Sequence, residues 1–124
     1  MIVDTARAAA DLLRPLFADA RGEKLAVAHL DAGRRLLALD EEVARGADSM
    51  ALPVRDIIAA ALARDAAGLV IAHNHPSGDP SPSPADIAAT RRLAEAGERL
   101  DIRLHDHLIF AAGDCRSFRA LGLL

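Results

Sequence analysis

Two histidines and one aspartate lie close together in the sequence and carry side chains that can bind a metal. His73 and His75 follow an apolar run, residues 68–72, and Asp86 comes soon after them. An apolar run bounded by turn residues predicts a buried strand. Because side chains two positions apart project to the same face of a strand, the two imidazoles are expected to converge where the strand ends.

These three side chains offer a metal two nitrogen ligands and one oxygen ligand. Three protein ligands leave the fourth position of a tetrahedral zinc open to water, as in catalytic zinc sites. We therefore expect zinc as the cofactor, bound by His73, His75 and Asp86. Histidine and carboxylate ligands also suit iron, nickel or manganese, so the spacing alone leaves the choice of metal open.

The residues just before Asp86 are typical of the start of a helix. Ser83 suits the N-cap, Pro84 the first helical position and Asp86 the third. From there the Asp86 carboxylate can turn back toward the imidazoles. A His-x-His pair alone is weak, and Ser-x-x-Asp before an apolar run is commonly only a helix cap. The spacing of both patterns together is more specific for a metal site than either pattern alone.

That spacing is His-x-His, seven residues, Ser, two residues and Asp, and it is similar to the JAMM (also JAB1/MPN) metalloprotease motif. The string HNHPSGDPSPS at residues 73–83 resembles the RadC family of bacterial proteins, and the resemblance covers residues 23–124. It implies an MPN-type fold, related in layout to cytidine deaminases, and a zinc-dependent metalloprotease that cleaves a peptide or isopeptide bond. It also implies that Ser83 is catalytic, because the motif serine stabilises the tetrahedral intermediate.

The resemblance further implies a general base, which is an upstream glutamate at the start of a strand. Glu23 fits because it opens the segment EKLAVAHLD, and Glu41 and Glu42 remain rivals near the end of the next predicted strand. Asp106 and His107 match an Asp-His pair that recurs in RadC-like sequences. Neighbouring residues on a strand point to opposite faces. These two are therefore expected to hydrogen-bond in the core or around the ligands rather than to bind metal.

Two segments depart from the RadC pattern. The usual Phe-Arg-Gly-Thr loop reads Ala-Arg-Gly-Ala at residues 44–47, and the usual Pro-Arg-Glu becomes Pro-Val-Arg-Asp at residues 53–56. If that loop shapes the substrate groove, the substrate preference is expected to differ. Full-length RadC proteins also carry a helix-hairpin-helix region, whereas only one short predicted helix, within residues 1–20, precedes Glu23 here.

The pattern of apolar residues and turns predicts a single α/β domain over residues 1–124, with a mixed sheet flanked by helices. Pro15 is expected to kink or break the first helix, and Leu62 is expected on the inner face of the second. The predicted elements are a helix over 4–19, a hairpin of strands at 23–30 and 35–40, a helix from Pro53, the strand that leads to His73, a helix from Pro84 to about Leu100, a strand over 104–110 and a short last strand.

Composition restricts the partners and the compartment. The net charge is −3, with no basic run and aromatic residues at only 2%, so direct nucleic-acid binding is not expected. One cysteine allows no internal disulfide, which suits a reducing compartment. The sequence shows no transmembrane run and no signal-peptide pattern. We expect a cytoplasmic domain that acts on a peptide or protein substrate, away from the membrane, with its oligomeric state open.

Two other functions are considered beside the hydrolase. One is a non-catalytic RadC-like interaction module or DNA-repair accessory protein, since RadC proteins carry a repair label. The other is a deaminase, which is disfavoured because no Pro-Cys-x-x-Cys is present and the lone Cys115 lies far downstream. The presence of all three ligands and of a candidate base favours the enzyme.

Overall fold

The computed structural model describes residues 1–43 and 52–124 of the chain, so the loop at 44–47 lies outside the described residues. The elements follow one another as α1 (Ala6–Phe17), β1 (Lys24–Leu30), β2 (Leu36–Val43), α2 (Val54–Ala63), β3 (Gly68–Asn74), α3 (Pro84–Glu98), β4 (Arg103–Ala111) and β5 (Asp114–Ser117). The predicted α/β pattern is confirmed.

The strands form one mixed sheet in the order β2-β1-β3-β4-β5. β1 runs antiparallel to both β2 and β3, β3 runs parallel to β4, and β4 runs antiparallel to β5. A parallel pair needs a long crossover connection, and α3 provides it between β3 and β4. β3 therefore lies in the middle of the sheet, with a hydrogen-bonded strand on each side.

The two faces of the sheet bury different side chains. On β1, Leu25 and Val27 pack with residues of α2 and α3, including Ile57 and Leu93. The alternate positions of β1 face α1 and pack around Leu13. Side chains alternate between faces along a strand, so this division places α1 on one face and α2 with α3 on the other. With so few aromatic residues, aliphatic side chains form most of both cores.

Three local predictions need correction. Of the two alternatives for Pro15, a break is wrong, because α1 continues through the proline to Phe17. β2 continues to Val43, three residues past the predicted end, so Glu41 and Glu42 lie within the strand. Leu62 is 55% exposed, because the sheet and α3 cover only a narrow stripe of α2.

Of the helices in the described part of the chain, none combines the length and the apolar character needed to cross a bilayer.

Gly97 lies at a close approach between two backbone segments. It is buried near the end of α3, and its carbonyl accepts hydrogen bonds from the N–H groups of Leu100 and Ile102 at 2.9 and 2.8 Å. A Cβ at this position would lie far inside the van der Waals contact distance of the Ile102 carbonyl oxygen. The turn that leads from α3 into β4 therefore requires glycine.

We expect Gly97→Ala to lower the free energy of unfolding by about 1–3 kcal/mol, because overpacking against backbone outweighs the better helix propensity of alanine. Gly22→Ala is the matched control, since a Cβ there meets nothing within 4 Å. Urea denaturation of both variants measures the difference. A Gly97→Ala protein as stable as the parent would show that the turn can relax.

Candidate metal centre

The two histidines lie at the carboxyl end of the central strand. His73 pairs with Leu25 of β1 and with Ile109 of β4. One step further, the N–H of His75 donates to the carbonyl of Phe110 at 2.9 Å, so β4 still holds the backbone there. In open α/β sheets, ligands commonly bind outside the carboxyl ends of the strands. The sheet therefore presents both imidazoles at the edge where such sites form.

The loop after β3 turns back on itself and orients the second imidazole. The N–H of Gly78 donates to the carbonyl of His75 at 3.1 Å, and Gly78 has φ +89°, a conformation that favours glycine. The carboxylate of Asp79 accepts from the N–H of Ser81 at 3.0 Å. The carbonyl of Asp79 is thereby directed at Nδ1 of His75, at 2.8 Å.

The start of α3 positions the third side chain, as the sequence predicts. Ser83 Oγ accepts from the N–H of Asp86 at 3.0 Å, and the Asp86 carboxylate accepts from the N–H of Ser83 at 2.8 Å. This reciprocal capping box, with Pro84 following the cap, fixes the carboxylate on the side of the helix that faces β3.

The three predicted ligands lie together. Nε2 of His73 is 2.9 Å from Nε2 of His75, and these atoms lie 3.4 and 3.2 Å from the two carboxylate oxygens of Asp86. The ligand atoms all lie within 4.8 Å of one another, which is close enough to hold a metal ion. The three side chains are 15%, 17% and 21% exposed, so one side of the cluster opens to solvent.

The hydrogen bond at Nδ1 determines which nitrogen of His75 is bare. A backbone carbonyl can only accept a hydrogen bond. Nδ1 of His75 must therefore carry the proton that it donates to Asp79. In the neutral imidazole the lone pair is then on Nε2, the nitrogen that faces Asp86.

A longer chain of hydrogen bonds fixes His73 in the same way. The hydroxyl of Thr90 donates its one proton to the main-chain carbonyl of Asp86 at 2.6 Å, so its oxygen must accept from Nδ1 of His107 at 2.7 Å. Nε2 of His107 is then an acceptor, and it lies 2.7 Å from Nδ1 of His73. His73 therefore donates from Nδ1 and carries its lone pair on Nε2.

Burial keeps His107 neutral, as this series of hydrogen bonds requires. Its complete burial holds the pKa of His107 well below the ordinary value of 6.5. Nδ1 and Nε2 then act as one donor and one acceptor at pH 7. Thr90 and His107 thus act as positioning residues for His73.

The arrangement therefore collects three electron-rich atoms at one point. Two bare Nε2 atoms at 2.9 Å repel each other, and a carboxylate beside them adds negative charge. A cation shared by the three, either a proton or a metal ion, relieves this repulsion. The donor set of two imidazoles and one carboxylate is the one that zinc takes in many hydrolases.

The Asp86 carboxylate stays ionised at neutral pH. Partial burial acts to raise its pKa, but a proton shared with His73 and the hydrogen bond from the backbone N–H of Ser83 outweigh burial. The pKa of Asp86 therefore lies well below the usual range. An anionic carboxylate is the form that a metal needs.

The candidate base, Glu23, comes just before β1 on the same face of the sheet. Leu25 opposes His73, so the antiparallel register, continued two residues back, brings Glu23 opposite His75. The side chain of Asn74 binds both neighbours of Glu23, because it accepts from the N–H of Lys24 at 2.7 Å and donates to the carbonyl of Gly22 at 2.9 Å. The backbone of this glutamate is therefore anchored to β3.

The two rival glutamates lie on β2, one strand further from the histidines. Glu41 opposes Ala26 and faces α1, where its carboxylate pairs with Lys24 at 2.5 Å. Glu42 opposes Leu25 and shares the face of the histidines, but β1 separates it from β3. Strands lie about 4.8 Å apart, so the distance from Glu23 to the two histidines is shorter by about one strand spacing than the distance from Glu42.

The cap leaves the hydroxyl proton of Ser83 available. Ser83 Oγ accepts from the N–H of Asp86, and a hydroxyl that accepts through a lone pair still has one O–H to donate. Capping and the expected role in stabilising an intermediate are thus compatible.

Asp106 and His107 divide between the faces, as predicted. His107 reaches His73, whereas Asp106 accepts from the Ser117 hydroxyl and from the N–H of Arg119, which ties the chain after β5 to β4. Cys115 lies in β5, is half-buried and is not part of the histidine–aspartate cluster. Burial raises the pKa of its thiol.

Sequence reasoning missed Thr90 and Asn74. Thr90 comes four residues after Asp86, so it lies one turn further along the same helix face. That spacing could have predicted that Thr90 lies beside Asp86. No sequence pattern indicated the role of Asn74, because that role depends on the pairing of two strands that are distant in sequence.

We expect Thr90→Val to weaken zinc binding about tenfold to a hundredfold, because loss of the hydroxyl leaves Nδ1 of His107 unpaired and frees both rings to change tautomer. Thr90→Ser keeps the hydroxyl and should bind nearly as well as the parent. Competition titration against a chromophoric chelator measures both affinities. Equal affinities in the Val variant and the parent would show that the chain of hydrogen bonds does not position His73.

Comparison with known proteins agrees with the observed fold. The sequence model of the RadC-like JAB domain matches residues 3–123. The chain is 48% identical to a UPF0758 protein of Rhodobacter capsulatus over 82% of its own length and 48% of the relative's. It is 40% identical to UPF0758 proteins of Burkholderia cenocepacia and Thiobacillus denitrificans, over 100% and 92% of its own length and 48% and 51% of theirs. The chain thus spans about half the length of these curated relatives. It belongs to the RadC-like JAB domain family.

Proposed function

We propose that this domain is a zinc-dependent amide hydrolase of the JAMM type, which cleaves a peptide or isopeptide bond. One observation carries the proposal: two imidazoles, each with Nδ1 committed to another acceptor, direct their bare Nε2 atoms at each other and at the Asp86 carboxylate. Membership of the JAB domain family supports the class of reaction.

His73, His75 and Asp86 would hold the metal, since their donor set and separation fit zinc. Bound there, zinc would polarise the scissile carbonyl and make a water molecule acidic enough to ionise near neutral pH. The cluster is partly exposed on one side, so an extended peptide can approach it.

Glu23 is assigned as the general base. Its carboxylate would accept the proton of the attacking water and later deliver it to the nitrogen of the leaving amine. The register of β1 and the anchoring of its backbone by Asn74 support this assignment. Glu42 is the next candidate, because it faces the same side from one strand further away.

Ser83 is assigned to the developing oxyanion. Its Oγ accepts the capping hydrogen bond from Asp86, and its O–H would donate to the oxygen of the tetrahedral intermediate. The same hydrogen bonds that start α3 would thus place a donor beside the ligands.

Glu23→Gln keeps the size and polarity of the side chain but removes the ability to accept a proton. We expect the zinc-loaded variant to retain stoichiometric metal and to lose about 10²- to 10⁴-fold in kcat. In the assay, the protein is incubated with a mixture of denatured proteins and isopeptide-linked peptides, and mass spectrometry identifies the new carboxyl termini that cleavage of either bond creates. Glu42→Gln is the matched control and should cleave like the parent.

Two outcomes would contradict the proposal. Loss of cleavage in Glu42→Gln rather than Glu23→Gln would transfer the role of base to β2. A parent protein that holds stoichiometric zinc and releases no new carboxyl termini would show that the cluster serves a non-catalytic interaction module instead.

A further inference from the structure

A cleft of about 320 Å³ lies between α2 and the two strands β1 and β2. Leu25 and Val27 of β1 form one apolar wall, and Ile57 and Ala60 of α2 form the other. Ligand pockets commonly have volumes of about 300–1,000 Å³, so this cleft has room for one long side chain. We call it the β2–α2 cleft.

The β2–α2 cleft begins beside the histidine cluster. Leu25, which lines the cleft, is paired with His73 across β1 and β3. From Leu25 the cleft follows β1 through Val27 to His29. Because a strand rises about 3.4 Å per residue, Val27 lies about 7 Å beyond Leu25 on the same face of the sheet. A peptide bound at the histidines can therefore direct a neighbouring side chain into the cleft.

His29 lies at the floor of the cleft and offers a hydrogen-bond acceptor. Its side chain has no exposed surface, and its Nε2 lies 2.9 Å from the carboxylate of Asp40. Burial lowers the pKa of His29 below the ordinary value of 6.5, so the ring is neutral at pH 7. A carboxylate only accepts, so Nε2 carries the proton and Nδ1 is bare. Nδ1 is buried and has no hydrogen-bond partner.

The acidic residues that line the cleft outnumber the cations that pair with them. These residues are Asp40, Glu41, Glu42 and Asp56. Asp40 pairs with Arg64 at 2.6 Å, and Glu41 pairs with Lys24. Within residues 1–43 and 52–124, Glu42 and Asp56 have no ion-pair partner within 4.0 Å. The cleft therefore combines apolar walls with negative charge and a bare imidazole nitrogen.

Two arginines of the neighbouring helices lie along a different groove. Arg55 of α2 and Arg92 of α3 line the space between those two helices, on the other side of α2. The positive charge on this face is thus separated from the walls formed by β1 and Ala60.

We propose that the β2–α2 cleft binds the side chain of a lysine or arginine of the substrate, within a few residues of the scissile bond, an inference that rests on the amide hydrolysis proposed above. Both side chains have an aliphatic stem and a cationic head group that only donates hydrogen bonds. The apolar walls suit the stem, and the carboxylates and Nδ1 of His29 suit the head group. Such binding is equal in the ground state and the transition state, so its loss raises KM rather than lowering kcat.

A binding measurement on the metal-free full chain tests the cleft without any catalysis. The probes are blocked pentapeptides with lysine, arginine, norleucine or glutamate at the centre of an otherwise glycine sequence. The lysine or arginine peptide should shift the backbone amide resonances of Val27 and Ala60 in a saturable way. It should bind about tenfold more tightly than the norleucine and glutamate peptides, the equivalent of one charge-assisted hydrogen bond. The tighter of the two basic peptides identifies the preferred head group.

Two variants locate the binding in the cleft. Ala60→Leu should abolish saturable binding of the basic peptides, because the larger side chain fills the space between α2 and β1. Ala59→Leu is the matched control, since Ala59 is exposed and does not line the cleft, and it should bind like the parent. Asp56→Asn should weaken binding about twofold to fivefold, as expected for one exposed charge. Glu42 is left unchanged because it is also the alternative base. Backbone amide spectra of each variant confirm that it is folded.

Equal affinities for the lysine, arginine and norleucine peptides would overturn the inference, as would an affinity unchanged in both Ala60→Leu and Asp56→Asn. In the cleavage assay, the parent and Ala59→Leu should favour bonds near lysine or arginine, and Ala60→Leu should lose that preference. Cleavage without the preference would contradict the role of the cleft and leave the hydrolase assignment standing. Selective peptide binding by a zinc-loaded protein that cleaves nothing would contradict the hydrolase assignment alone.

Discussion

The hydrogen bond from the Thr90 hydroxyl to the carbonyl of Asp86 fixes the tautomer of His73, one of the two histidines of the cluster. It uses the only proton of that hydroxyl, so the proton between Thr90 and His107 must come from His107. The next hydrogen bond in this series joins His107 and His73, and its proton must then come from His73. A single neutral contact inside a helix thus decides which nitrogen of a strand histidine is bare.

This dependence joins three elements of the fold. α3 supplies Thr90 and Asp86, β4 supplies His107 and β3 supplies His73. α3 is the crossover between the two parallel strands, so the connection that parallel pairing requires also delivers a ligand and its support. Gly97 allows α3 to return into β4 at close range. The site is therefore a consequence of the crossover rather than an addition to it.

The sequence predicts the parts of the site that are local. The capping box and the convergence of two histidines on one strand face follow from spacings of two or three residues. The hydrogen bond from Thr90 to His107 joins residues 17 positions apart through the crossover, and only the packed fold reveals it. The exposed Leu62 and the extended β2 depended on which neighbours cover a helix face or an edge strand, which residue periodicity does not contain.

The most direct measurement of the central claim is a zinc titration followed through the ring nitrogens of His73 and His75. Both rings should show protonated Nδ1 and unprotonated Nε2 before zinc is added. One equivalent of zinc should then shift both Nε2 resonances and leave the Nδ1 protons in place. Ring resonances unchanged by zinc, or coordination through Nδ1 of either histidine, would contradict the account.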